Sequence, residues 1–290
     1  LILFGKSDWE ESVPFINKEY QHSYEYFYSL CKKHGIQMLR ASYEWYDYEN
    51  NFFSYAWSFE GRDKKWKKVS RVTPDLIYDK TKARMELYYK KELICEHYPF
   101  INDLHFTLIV NDKITTSLIF SHWSKKSWIV NNNKELLKIL PFISSDKVVV
   151  KSILGSGGKE VYIENKSNIS SIATFRTPYL AQEFIDSSHG IPGICKGAHD
   201  LRLVCVNEKI IYSYIREPKK GGYLANLAQG GTLTIVPENN LPPSLFPIIH
   251  NINETFAIWN PRVYSIDFMF DQNQTPWIVE LNGMPGLYFT

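Results

Sequence analysis

"YSIDFMFDQNQTPWIVELNG", residues 264–283, holds two apolar runs around a polar linker. The first run, VYSIDFMF, carries Asp267; the second, PWIVELNG, carries Glu280 and Asn282. The linker DQNQTP reads as a turn, so the stretch predicts a β-hairpin. A carboxylate within an apolar strand is costly unless it is paired or binds a metal. The two-residue period of a strand projects Glu280 and Asn282 to one face. With Asp267 opposite them, three oxygen donors converge on one patch. Oxygen donors without Cys or His suit Mg²⁺ or Mn²⁺, and Mg²⁺ held by few protein ligands usually also contacts substrate phosphates. An exposed hairpin with ordinary surface acids is the competing reading, and the residues upstream must decide.

Those residues hold groups suited to phosphate. VVVKSILGSGGKEVYI places Lys151 at the end of one strand and Gly155, Ser156, Gly157 and Gly158 before the next. Glycines let the backbone fold closely over an anion and aim N–H groups at it, and a lysine adds a point charge. No GK[ST] follows and a strand comes next, so this is not a Walker loop; a tight β-turn is the more common explanation of GSGG alone. Arg202 in HDLRL and Arg216 in SYIRE suit the spread charge of a transferring phosphoryl group. Each alone also fits a surface salt bridge. Asn226 lies in the glycine-rich connector PKKGGYLANLAQGG, where it reads as a phosphate or metal-water contact or as a plain loop amide.

The 290 residues suffice for two or three lobes, with 44% apolar and 22% charged residues, an ordinary globular balance. A net charge of +2 implies no strong polyanion affinity, so no nucleic-acid partner is expected. Aromatics reach 15% and crowd the first third, as in YEWYDYENNFFSYAW; strand and core filling is the favoured account, a substrate or partner surface the other. Cys31, Cys95, Cys195 and Cys205 form no CxxC pair and read as scattered reduced thiols of a cytoplasmic protein. The opening LILFGKSDWE is too short an apolar run to read as a signal peptide, and no stretch approaches membrane-spanning length. The chain begins without Met and ends just after the hairpin, so trimmed ends are expected. Alternating strands and helices predict an α/β lobe over residues 1–105. A central lobe is expected over 106–176, with a helix NDKITTSLIFSHW capped by Asn111 or Asp112. A strand-rich lobe follows over 177–290.

The order of these segments resembles the ATP-grasp superfamily from about Asn111 to Tyr288, and most nearly its ribosomal-protein glutamate ligases and bacterial glutathione synthetases. NDKITT resembles the DK…T opening of the central domain, KSILGSGGKEV the KPxxGSxGxGV loop, and AQEFI the hinge strand that holds adenine. DLRL, NLAQGG, SIDFMF and VELNGMPG match further signatures. The resemblance implies ATP between the last two lobes. It puts Lys113, Lys151 and the loop Gly155–Gly158 at the nucleotide, and Gln182, Glu183, Phe184 and Ile185 at adenine. There Glu183 would accept through its carbonyl and Ile185 donate through its N–H. It also implies Asp186 toward the ribose, Arg202, Arg216 and Asn226 around the γ-phosphate and acyl phosphate, and Mg²⁺ or Mn²⁺ on Asp267, Glu280 and Asn282. Three features depart from the family. Ser152 stands where Pro usually follows the lysine. The insert SSHGIPGICKGAH, 187–199, precedes DLR. The first 105 residues match no pattern of the family.

The implied reaction joins a carboxylate to an amine through an acyl phosphate, releasing ADP and phosphate. Catalysis is then mostly positioning and charge stabilisation, and no covalent nucleophile is needed. The acid belongs either to a peptide or protein, or to a small metabolite as in glutathione or D-alanyl-dipeptide synthesis. A nucleotide-binding regulatory pseudoenzyme is the third reading, disfavoured by the intact acid set. Homo-oligomerisation stays open.

Overall fold

Every strand predicted around the hairpin forms in the computed structural model, which describes residues 1–4, 14–15, 18–60, 65–81, 85–153, 160–169, 178–219, 222–223, 225 and 231–286. Gly155, Ser156, Gly157, Gly158 and Asn226 therefore lie outside the described residues. The chain divides into two compact units, Leu1–His105 with Met284–Thr290, and Phe106–Gly283.

The first unit is built on a mixed seven-stranded sheet: β1 (Ile2–Phe4), β2 (Leu39–Ser42), β3 (Tyr46–Asp47), β4 (Phe52–Glu60), β5 (Lys65–Val72), β6 (Ile77–Asp79) and β7 (Phe100–Ile101). Helices α1 (Lys18–Lys33) and α2 (Met85–Cys95) accompany it. α1 stops where the sequence predicts, at Gly35 (φ 75°). The Ile36 N–H reaches the Cys31 carbonyl at 2.9 Å and the Gly35 N–H that of Lys32 at 3.1 Å, a Schellman closure. The aromatic run is mainly core: Trp45, Tyr46, Phe53, Trp57 and Phe59 are buried. β5, KWKKVSRV, and α2 are elements the sequence reading did not contain. All four cysteines are free thiols.

In the second unit, α3 (Leu104–Asn111) and α4 (Lys113–Ile119) lead into β8 (Ser127–Val130), α5 (Asn133–Ile139), β9 (Lys147–Ser152), β10 (Val161–Asn165) and β11 (Tyr179–Glu183). The four strands form an antiparallel sheet of order β10-β9-β11-β8. β11 thus lies in this sheet, although a boundary at 176 assigns it to the third lobe. A five-stranded antiparallel sheet follows, of order β14-β13-β12-β15-β16. Its strands are β12 (Asp200–Val206), β13 (Lys209–Glu217), β14 (Thr232–Val236), β15 (Val263–Phe270) and β16 (Pro276–Asn282). Helix α6 (Phe246–Thr255) packs Ile248, Ile249 and Ile252 into the core under this sheet, with Leu201, Leu203, Ile266 and Phe268. Apolar residues alternate with charged ones along β12 and β15, so burying one face presents Asp200, Arg202 and Asp267 on the other. No helix among the described residues is long and apolar enough to cross a membrane.

Candidate functional site

The hairpin is the foundation of the site. β15 and β16 pair with Asp267 opposite Glu280 and Ser265 opposite Asn282. The register then slips, Phe268 facing Ile278, so Val279 is an extra residue on β16. Its carbonyl accepts from Lys151 Nζ at 3.2 Å. The turn is closed by Asp271, whose Oδ1 accepts from the N–H groups of Asn273 (2.9 Å) and Thr275 (3.0 Å). At the other end Asn111 Oδ1 accepts from the Gly283 N–H at 2.9 Å, next to Asn282. Asp112, not Asn111, caps α4, taking the N–H groups of Ile114 and Thr115, and this sets Lys113 at the first helical position. Lys113 Nζ approaches Glu280 Oε2 at 3.9 Å and the Ile153 carbonyl at 3.4 Å.

Across the sheet, Arg202 stands opposite Asp267 and Arg216 opposite Asp200. Arg202 grips Asp267 with two donors, Nε to Oδ1 at 2.6 Å and Nη2 to Oδ2. Arg216 Nη2 is shared between Asp200 Oδ2 and Asp267 Oδ2, the latter at 2.8 Å. Glu280 Oε1 lies 3.7 Å from Arg202. Four cations, Lys113, Lys151, Arg202 and Arg216, each no more than 9% exposed, thus face three carboxylates. Burial pushes the Lys151 ammonium down to about 8, with Glu280 opposing the shift and Lys113 adding to it. Burial also disfavours the charge on Asp267, but Arg202 and Arg216 outweigh it and hold the carboxyl below the usual carboxylate range. Asp200 moves the other way: burial, and then the Asp267 charge, raise it to about 7. The shared Arg216 cannot fully neutralise two acids, so one of them takes up a proton more readily. A buried patch with surplus positive charge is costly by itself and favours an anionic ligand.

The other sequence-predicted residues divide. Gln182 turns its side chain inward, accepting from Lys151 Nζ at 2.9 Å and donating to Ser127 Oγ at 2.9 Å, so it orients the lysine. Glu183 accepts from the N–H and hydroxyl of Ser144, and the Phe184 N–H is taken by Ser145 Oγ. Ile185 is buried. The Asp186 carboxylate accepts from Ser188 N–H (3.0 Å) and Gln272 Nε2 (2.7 Å), which ties the 187–199 insert to the β15–β16 turn. His199 pins the far end: Nε2 accepts from the Phe270 N–H at 3.1 Å and Nδ1 meets the Gly197 carbonyl at 3.0 Å. Asp267, Glu280 and Asn282 are the right kind of donors for a hard cation. Among the described residues, however, no three His, Cys, Asp or Glu side chains are gathered around one point. Both Asp267 oxygens are taken by guanidinium donors, so metal binding requires these to yield. Asp200 is the residue that sequence reasoning passed over, although it stands two positions before Arg202 on the same face.

Known proteins resemble this chain in sequence and in fold. The chain is 29% identical over 154 residues to a probable alpha-L-glutamate ligase of Legionella pneumophila (strain Corby), covering 51% of this chain and 46% of the relative. A probable alpha-L-glutamate ligase of Maridesulfovibrio salexigens is 25% identical over 161 residues, with coverage of 51% and 46%. The chain therefore spans about half the length of the curated relatives it matches. Among solved structures it is similar in fold to D-cycloserine synthetase DcsG (TM-score 0.66, 11% identity, 98% of this chain and 91% of that one). D-alanyl-alanine synthetase A from Vibrio cholerae gives a TM-score of 0.64 at 13% identity, with coverage of 98% and 88%. A Chryseobacterium gregarium RiPP-associated ATP-grasp ligase, solved with ADP and a leader and core peptide, gives 0.59 at 13%, with coverage of 98% and 89%. The family model of the RimK-like ATP-grasp domain matches residues 117–290, more than half of the chain, and the protein belongs to that family.

Proposed function

We propose that the protein is an ATP-dependent carboxylate–amine ligase that forms an amide bond through an acyl phosphate, releasing ADP and phosphate. The observation that carries this reading is the buried excess of positive charge formed by Lys113, Lys151, Arg202 and Arg216 around the Asp267–Glu280 pair. It suits a polyphosphate and then the charge that develops during phosphoryl transfer. Lys151, oriented by Gln182 and the bulged Val279 carbonyl, neutralises ATP phosphates, and Lys113 acts beside it. Residues 182–185 are assigned to adenine, Asp186 to the ribose, and Gly155, Ser156, Gly157 and Gly158 to the phosphates. Asp267, Glu280 and Asn282 would hold Mg²⁺, or Mn²⁺, which when bound neutralises phosphate oxygens.

The substrate carboxylate oxygen attacks the γ-phosphorus while the bond to the β-phosphate oxygen breaks, and ADP leaves. Arg216 and Arg202 stabilise the transferring group. The amine then attacks the acyl carbon, the carbon–oxygen bond to phosphate breaks, and the nitrogen loses a proton to solvent. Asn226 is assigned to the acyl phosphate. The glutamate ligase relatives and the peptide-bound ligase of the same fold favour an amino acid paired with a peptide or protein substrate. A screen of amino acids and peptides for ADP and phosphate release, with product masses, tests the proposal. Acid-dependent ADP formation and a product with the combined mass of acid and amine less one water are expected. AMP production would overturn the phosphoryl-transfer mechanism.

A further inference from the structure

Arg216 has two anchors, and one of them is needed elsewhere. Its Nη2 is held by Asp200 Oδ2 and by Asp267 Oδ2, yet Asp267 is the carboxylate assigned to the metal. When that oxygen turns to a cation, Asp200 is the carboxylate that still holds the guanidinium. Asp200 is well placed for this. It is 8% exposed, rooted at the start of β12, and directly opposite Arg216 in the β12–β13 register. It grips the guanidinium at Nη2 alone. The Arg216 Nε is buried with no hydrogen-bond partner among the described residues, and so is Asp200 Oδ1. One donor of the fork is fixed while another, Nε, is buried and unspent.

We propose that Asp200 is a positioning residue for the phosphoryl-transfer step, holding Arg216 by Nη2 so that its remaining donors face the transferring group. The inference rests on the ligase reading given above. An arginine on a free stem loses rotamer entropy when it is fixed. A fixed guanidinium has met that cost before transfer begins, which is the sense in which preorganised charge favours a transition state. Asp200 need not touch ATP.

The test compares two ligands by calorimetry, both with Mg²⁺: a non-hydrolysable ATP analogue, and ADP with aluminium fluoride as a mimic of the transferring phosphoryl group. Asp200→Asn is expected to leave analogue affinity within about twofold and to weaken the aluminium fluoride complex by about tenfold or more. In an Arg216→Met background the same substitution should have almost no effect on either, because coupled residues are not additive. Equal weakening of both ligands, or an undiminished loss in the Arg216→Met background, would overturn the proposal. If Asp200→Asn does not fold, Asp200→Ser gives the same comparison. Failure of every acid to yield ADP and phosphate would defeat the ligase reading separately, since the binding comparison requires no acid substrate.

Discussion

Raising the pH from 7 to 9 should weaken ATP binding about tenfold, and Lys151 should account for the change. Burial holds its ammonium near 8 in the free protein, and two of its three donors are directed at Gln182 Oε1 and the Val279 carbonyl. Bound phosphates favour the charged form, so affinity follows the fraction of free protein that carries the proton. That fraction is about nine-tenths at pH 7 and about one-tenth at pH 9. Calorimetric titration with a non-hydrolysable ATP analogue, at fixed Mg²⁺ and ionic strength, measures it. Lys151→Arg should bind with little slope over this range because guanidinium does not titrate there. Lys151→Met should bind weakly and equally without slope. Asp200, near 7, is common to all three proteins, so its titration cancels in the comparison. The same shift has a consequence for stability. The folded lysine sits below its ordinary 10.5, so the folded state holds fewer protons between pH 8 and 10.5. The penalty of burying the charge is fully present below pH 8 and is relieved as pH rises to 10.5, a gain of roughly 3 kcal/mol in the free protein. A wild-type affinity that is flat from pH 7 to 9, or a Lys151→Met protein that keeps the whole slope, would refute the reasoning.

Arg216→Met should lower turnover by roughly a hundredfold or more with ATP affinity little changed, and Arg216→Lys should rescue poorly because a point charge cannot replace the fork; steady-state phosphate release beside ATP titration reads the split. Glu280→Gln should abolish Mg²⁺-dependent turnover with an unaltered circular dichroism spectrum, since this side chain is 30% exposed. Asp267→Asn should also lose turnover but cost stability, because it leaves two buried arginines short of a charge partner; urea midpoints distinguish the two variants. Burial lowers His199 below its ordinary 6.5, so the unfolded chain takes up the proton first, and this contribution is present above pH 6.5 and lost as pH falls below it. Wild type should therefore lose denaturant resistance between pH 7 and 5 more steeply than His199→Gln. Gly190 adopts φ 70°, and a Cβ there would meet the Cys195 and Lys196 carbonyl carbons at 2.8 Å. Gly190→Ala should cost roughly 1–3 kcal/mol, and a midpoint unchanged from wild type would show that the insert can move aside.

The local pattern of residues sufficed for the hairpin, a helix cap at Asn111 or Asp112, the Gly35 stop and the facing of Glu280 with Asn282, because each depends on neighbours within a few positions. The same reasoning missed β5, whose KWKKVSRV lacks apolar alternation and is held by pairing with β4. It also missed β14, a largely exposed strand that follows the glycine-rich connector and pairs with β13. What each site residue touches was decided only by tertiary structure. Arg202 finds Asp267 across 65 positions, Arg216 finds it across 51, and Lys151 reaches the Val279 carbonyl across 128. The bulge that exposes that carbonyl is a slip between two paired strands, and no spacing within one strand records it. Gln182 and Asp186 illustrate the same limit: an amide in a hinge strand and an acid at its end have nearby acceptors and donors only once the sheets are assembled. A sequence period fixes the direction of a side chain, whereas register and packing fix its partner.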